Sequence, residues 1–234
     1  MKTLRVVGIA LTSLFCLFLL FESHAAVHAQ ETAAQQDANV KFQWAFGALQ
    51  KANGSKFEAV AKDTDLRTGD QIKFFLNVNQ DCFVYLIYRS SQGELSVLFP
   101  KRFQLLSTEY TVAGNHYIPA DDQWFELDEH TGEERFYLLA SVERLTELEA
   151  FVNDYESADK AKKPPLAEKI LAEIRKLRKQ HLKFKTYAER PVNIIGNLRG
   201  TEKAETIKKH DIAKYAVEIS ADTFYSRTFT IDHK

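Results

Sequence analysis

The sequence predicts an α+β protein: an antiparallel β-sandwich with a helical hairpin and a C-terminal β-hairpin. Three observations carry that prediction. From Val40 to Ser141 the apolar residues alternate in short runs, with turn residues about every eight to twelve positions, the pattern of a sandwich or barrel. After Val142 the apolar spacing changes to three and four, the period of a helix face. Beyond Pro191, β-branched and aromatic residues return at Pro191–Ile195, Tyr215–Ile219 and Thr223–Ile231.

The strands follow in order. Phe42, Trp44 and Phe46 alternate with polar or small residues, as on a half-buried strand. Asn53-Gly54 marks a turn, and Phe57–Ala61 is a second short strand. Ile72, Phe74, Leu76 and Val78 alternate with Lys73 and Asn77, so one face of this strand is expected to be wet at its ends. Cys82–Tyr88 is apolar on both faces, which predicts a central strand covered on both sides. Ser91-Gln92-Gly93 turns the chain into Leu95, Val97 and Phe99. Pro100 ends that strand because proline has no N–H for the ladder. Short strands follow near His116–Ile118, Gln123–Leu127 and Arg135–Ser141.

Two helices come next. Thr146 with Glu149 reads as a capping box, in which each side chain bonds the other's backbone N–H. Leu148, Phe151, Val152 and Tyr155 share one face. Ser157–Lys163 is a polar linker, and Pro164-Pro165 suits a helix start, where no N–H is needed. Leu166, Ile170, Ile174, Leu177 and Phe184 form the stripe of a second helix of about 20 residues, roughly 30 Å long.

The first residues carry an address. Lys2 and Arg5 precede an uncharged apolar run from Val6 to Phe21, and Val27-His28-Ala29 supplies small residues for cleavage after Ala29. Basic, apolar and small regions in that order predict a secretory signal over residues 1–29. The apolar run is shorter than the roughly 20 residues of a membrane-spanning helix. Residues 30–39 read as a flexible polar leader. Two parts are then expected: a β-rich domain over 40–143, and 144–234 as the helical hairpin with the C-terminal strands packed on it. The predicted location is periplasmic or secreted.

Composition narrows the function. A formal net charge of −1 excludes the strongly basic balance of a dedicated nucleic-acid binder. A hydrophobic content of 45% suffices for a packed core. Cys82 alone survives cleavage, so no internal disulfide is expected.

Leu66-Arg67-Thr68-Gly69-Asp70, Cys82-Phe83-Val84-Tyr85-Leu86, Gly93, Leu98-Phe99-Pro100, Ile118-Pro119, Gly132-Glu133-Glu134 and Leu138-Leu139-Ala140-Ser141 occur in that order. Over roughly residues 40–143 the chain resembles the bacterial family called domain of unknown function 4384. The resemblance implies a compact β-rich module with an accessory or recognition role and brings no catalytic residues. Many members carry Tyr where Phe83 stands here.

No nucleophile–base pair, phosphate loop, dinucleotide fingerprint or zinc spacing is legible, and no cofactor is implied. Cys82 heads the most apolar strand and reads as a buried thiol without a cation to lower its pKa. Asp121, Asp122, Glu126, Asp128, Glu129, Glu133 and Glu134 surround His130, but their spacing fits no Ca²⁺ loop and reads as a solvated edge. Arg175, Lys176, Arg178, Lys179, Lys183 and Lys185 fan over the face opposite Ile170–Ile174–Leu177, with no acid among them. Such a helix serves anionic surfaces or acidic partners, or is simply a solvated face whose cations complement the helix dipole. His181 falls on the apolar stripe and reads as a partly buried histidine.

The expected function is therefore an exported, non-enzymatic recognition module of the cell envelope, binding a protein or envelope polymer. The alternatives are a hydrolase using carboxylates such as Asp121, Glu126 or Glu133, and a structural component held to anionic membrane by the basic helix.

Overall fold

The structure is a computed structural model that describes residues 40–234 apart from 52–53, 55, 61–62, 80–81, 104–112, 182–186 and 192–210. The signal, the leader, Phe184 and residues 192–195 lie outside the described residues.

Two sheets face each other. The first contains β1 (Val40–Gln50), β2 (Lys56–Ala59), β4 (Gln71–Val78), β7 (Gly114–Ile118), β8 (Phe125–Glu126), β10 (Tyr187–Pro191) and β11 (Val217–Ala221). Its path runs β10-β11-β1-β4-β7, with β2 paired to β1 and β8 to β4. The second has the order β3-β12-β9-β5-β6, from β3 (Asp63–Leu66), β12 (Phe224–His233), β9 (Gly132–Ser141), β5 (Phe83–Arg89) and β6 (Leu95–Phe99). All pairs are antiparallel except β3 with β12.

The core between the sheets is aromatic. Phe46 of β1 stacks on Phe74 of β4 at 3.8 Å between centroids. Phe136 and Phe229 of the opposite sheet approach Phe46 at 5.2 and 5.3 Å. Offset and edge contacts of this kind add to the transfer of apolar area from water. Gly47 on β1 leaves room for the Phe57 ring, which an added Cβ would displace.

In the second sheet β5 and β9 are buried on both faces, as the run Cys82–Tyr88 predicts. Val84 and Leu86 of β5 point into the inter-sheet core, while Tyr85 and Ile87 point outward to the helices. On β9, Phe136, Leu138 and Ala140 face inward, and Tyr137 and Leu139 outward. The helices α1 (Thr146–Ser157) and α2 (Lys163–His181) cover that outer face with Leu148, Val152, Tyr155, Ala167, Ile170 and Ile174. On the other sheet, a 3-10 turn at Ile212–Tyr215 packs Ile212 and Ala216 on Ala45 and Phe75.

The α+β sandwich with its helical pair is thus observed. The C-terminal strands separate at Asp222-Thr223. β11 pairs with β1 in one sheet, and β12 pairs with β9 in the other. They are sheet members, and residues 39–234 form one compact unit.

Three local expectations are corrected. Thr146 is the first residue of α1, with Leu145 at the cap and no side-chain cap bond. Glu149 is turned instead toward the sheet. Lys73 is buried, donating to the carbonyls of Asp121 and Gln123. β3 was not expected, since Asp63–Leu66 has no apolar alternation.

Candidate binding sites

The predicted basic face is divided by its partners. Lys176 pairs with Glu147 of α1 at 2.7 Å and Glu173 at 3.0 Å, a staple between the helices. Both hydrogen bonds, Glu147's first, raise its pKa and keep it charged. Arg175 lies 3.9 Å from Glu168, and Arg178 donates to Thr228 Oγ1 of β12 at 3.2 Å. Lys179 is exposed and makes no ion pair among the described residues. Lys183 and Lys185 lie outside the described residues. His181 stacks on Phe224 at 4.5 Å, and burial lowers its pKa.

Beside this surface runs an open groove of about 480 Å³. The corner at Ser141–Leu145 and the first turn of α1 form one wall, with Arg144, Leu145 and Leu148 in it. The last turns of α2 form the other, with Lys176, Leu177, Gln180 and His181. Under the corner sits a buried bond set. The Tyr85 hydroxyl donates to Glu149 Oε1 at 2.7 Å and accepts from Leu145 N at 3.0 Å. Arg144 pairs with the same carboxylate. Burial chiefly, then the adjacent Glu149, pushes the Tyr85 hydroxyl far above its usual range, so it stays a donor.

A second cavity, of about 270 Å³, opens between the sheets where β4 and β8 face β5, β6 and β9. Ile72, Leu98, Phe125, Leu127 and Phe136 supply its apolar wall; Tyr88, Ser96, Glu126 and Glu134 are polar. Glu134 is only 3% exposed. The Tyr88 hydroxyl donates to its Oε2. Burial first, then this carboxylate, raises the Tyr88 pKa well beyond its normal value. The other oxygen, Oε1, lies 3.8 Å from Nδ1 of the buried His233, too long for a hydrogen bond. His233 Nε2 is bonded to Thr68 Oγ1 at 3.1 Å. At the rim, hydrogen bonds from Lys51 and Gln71 lower the pKa of exposed Glu126.

The acidic stretch therefore divides. Asp128 pairs with His130 at 3.0 Å and Glu133 with Arg135 at 2.6 Å, both on the surface. Of Asp121, Glu126 and Glu133, only Glu126 lines the cavity between the sheets. The sequence groups Glu134 with the acidic edge, yet its strand position marks it as different. It shares strand parity with Phe136, Leu138 and Ala140, which places it on the inner face. Cys82 is buried, with Sγ donating to the Lys41 carbonyl at 3.5 Å.

The Leu66–Asp70 motif is built around its turn. Gly69 has φ +86°, a conformation that side chains disfavour. Asp70 accepts from the backbone N–H groups of Lys51 and Arg67, both at 2.9 Å. The Leu127 N–H bonds Asp70 O, and Gly69 N–H bonds Leu127 O. The motif thus ties the β3–β4 corner to the segment after β8, and its role is architectural.

Residues 65–144 match the model of the family described as domain of unknown function (DUF4384). The DUF4384 segment holds β4–β9 and the end of β3. β1, β11 and β12, which complete both sheets, lie outside it. No curated protein and no solved structure matches the chain.

Proposed function

We propose that the chain is an exported, non-enzymatic recognition or accessory module of the bacterial cell envelope that binds a protein or envelope polymer. The observation that carries this reading is the 480 Å³ groove at the seam of helices and sandwich. Its walls mix apolar side chains with polar ones, the composition of a binding cleft rather than a packing defect. Arg178 and Lys179 stand on the last turns of α2, the helix that forms one groove wall, and would draw acidic groups toward it. The layout of residues 1–29 supports export. The resemblance to the DUF4384 family also implies an accessory or recognition role.

Co-purification from native envelope, followed by mass spectrometry, tests the proposal with Gln180→Trp as the control. That exposed position lines the groove, so the bulky ring should displace the partner while the fold is kept. Equal recovery with the variant counts against the groove. Recovery of anionic lipid alone would favour membrane association. Turnover of an envelope substrate that Glu126→Gln abolishes would overturn the non-enzymatic reading.

A further inference from the structure

The cavity between the sheets holds a buried carboxylate, and no basic residue lines its walls. Nine residues line it; Glu126 and Glu134 are acidic and none is basic. Glu126 is neutralised at the rim by Lys51 at 3.0 Å. Glu134 has no lysine or arginine partner among the described residues. Its Oε2 accepts from a phenol, and its Oε1 makes no hydrogen bond among the described residues. The nearest basic group, His233, contacts it only at 3.8 Å, and the His233 Nδ1 itself is without a hydrogen bond. A buried carboxylate oxygen that no donor meets is costly, and here that oxygen is Oε1.

The walls suit a cation with an apolar body. Tyr88 and Phe136 lie 4.9 Å apart between ring centroids, and Phe125 faces the same space. Aromatic faces attract ammonium groups through their quadrupole, most strongly where water is excluded. A volume of about 270 Å³ lies just below the usual range for drug-sized ligands, which fits a small molecule.

We propose that this cavity binds a small organic ammonium ion. Its N–H groups would donate to Glu134 Oε1, and its hydrocarbon or aromatic part would lie among Ile72, Leu98, Phe125, Leu127 and Phe136. The site is separate from the groove between the helices, so it stands or falls independently of that reading.

The test uses three probes of similar shape with the chain from residue 30 onward: 2-phenylethylamine, 2-phenylethanol and 3-phenylpropionate. Binding is followed by calorimetry and by amide chemical shifts of the lining residues. The amine should bind and shift those amides. The alcohol should bind about tenfold more weakly or worse, the ratio expected for one charge-assisted hydrogen bond. The carboxylate should not bind. Glu134→Gln should reduce amine affinity by at least about tenfold. Because that change also alters the buried bond with Tyr88, Ser96→Phe provides a second variant. It fills the cavity from an exposed lining position and should abolish binding with the melting temperature preserved. Equal affinity for amine and alcohol, shifts confined to other surfaces, or full amine binding by folded Ser96→Phe would overturn the proposal.

Discussion

The hydroxyl of Tyr85 and the carboxylate of Glu149 join the middle of the β-sandwich to the first turn of α1. They are 2.7 Å apart and buried, and the same hydroxyl receives the Leu145 N–H at 3.0 Å. Tyr155 repeats the device further along, its hydroxyl accepting from Leu95 N at 3.0 Å. The helical pair is thus held to the sheet by buried polar bonds as well as by apolar packing. Buried hydrogen bonds fix one arrangement, because sliding would strand their donors without water.

Tyr85→Phe keeps the ring and removes the oxygen. Leu145 N–H and Glu149 then lose a partner in a dry place. Unfolding free energy, measured by urea titration, should fall by about 1–3 kcal/mol. A change below a few tenths of a kcal/mol would show that the bond contributes nothing.

The DUF4384 segment should not fold by itself. Phe74 and Phe136 stack against Phe46 and Phe229, which lie outside residues 65–144. Without β1 and β12 both sheets lose a central strand, and their inner faces meet water. Amide spectra of residues 65–144 should be collapsed or the product insoluble, while residues 40–234 give dispersed spectra.

The basic residues of α2 should separate into two groups. Lys176→Gln removes an exposed interhelix staple and should lower stability only slightly, since solvent screens exposed pairs. Arg178→Gln with Lys179→Gln should leave stability within about 0.5 kcal/mol. The double change should weaken capture of an acidic partner at low salt. That loss should shrink as salt rises, since exposed charges are screened over about 8–10 Å near physiological ionic strength. Capture unaffected at low salt would remove these charges from the binding face.

His181 should titrate below its ordinary 6.5, because stacking on Phe224 removes water from the charged form. The unfolded chain then binds more protons than the folded one as pH falls through 6.5. Stability contributed at this site is full above that pH and declines as pH drops toward and through the lower folded value. Proton NMR titration gives the pKa directly. The wild-type melting temperature should fall more than that of His181→Leu between pH 7.5 and 5; parallel curves would contradict the assignment.

Cys82 should be unreactive in the native state and label quickly once denatured, because its sulfur is buried in the inter-sheet core. Cys82→Ala should cost about 1–2 kcal/mol through lost transfer and cavity terms. Rapid labelling of the native protein would overturn the burial.

Local patterns determined the classes of element. Alternation in Phe42–Phe46, Ile72–Val78 and Leu95–Phe99 and the helical spacing of Leu166–Leu177 are short-range features, and each survives in the structure. The two-sided burial of β5 was legible for the same reason, since a strand apolar on both faces must be covered on both. Partners were not legible. β3 exists because the C-terminal strand lies parallel to it, 165 residues away in the Thr68–His233 contact. β11 and β12 enter different sheets because those sheets offer β1 and β9 as neighbours. Glu149 is drawn from a local cap to a distant tyrosine, and Lys176 from a binding face to a staple. Glu134 becomes the floor of a cavity only when β4 and β8 close over it. A sequence pattern states which face of an element is apolar; which groups meet across that face is decided by packing, and the chemistry of both candidate sites depends on those meetings.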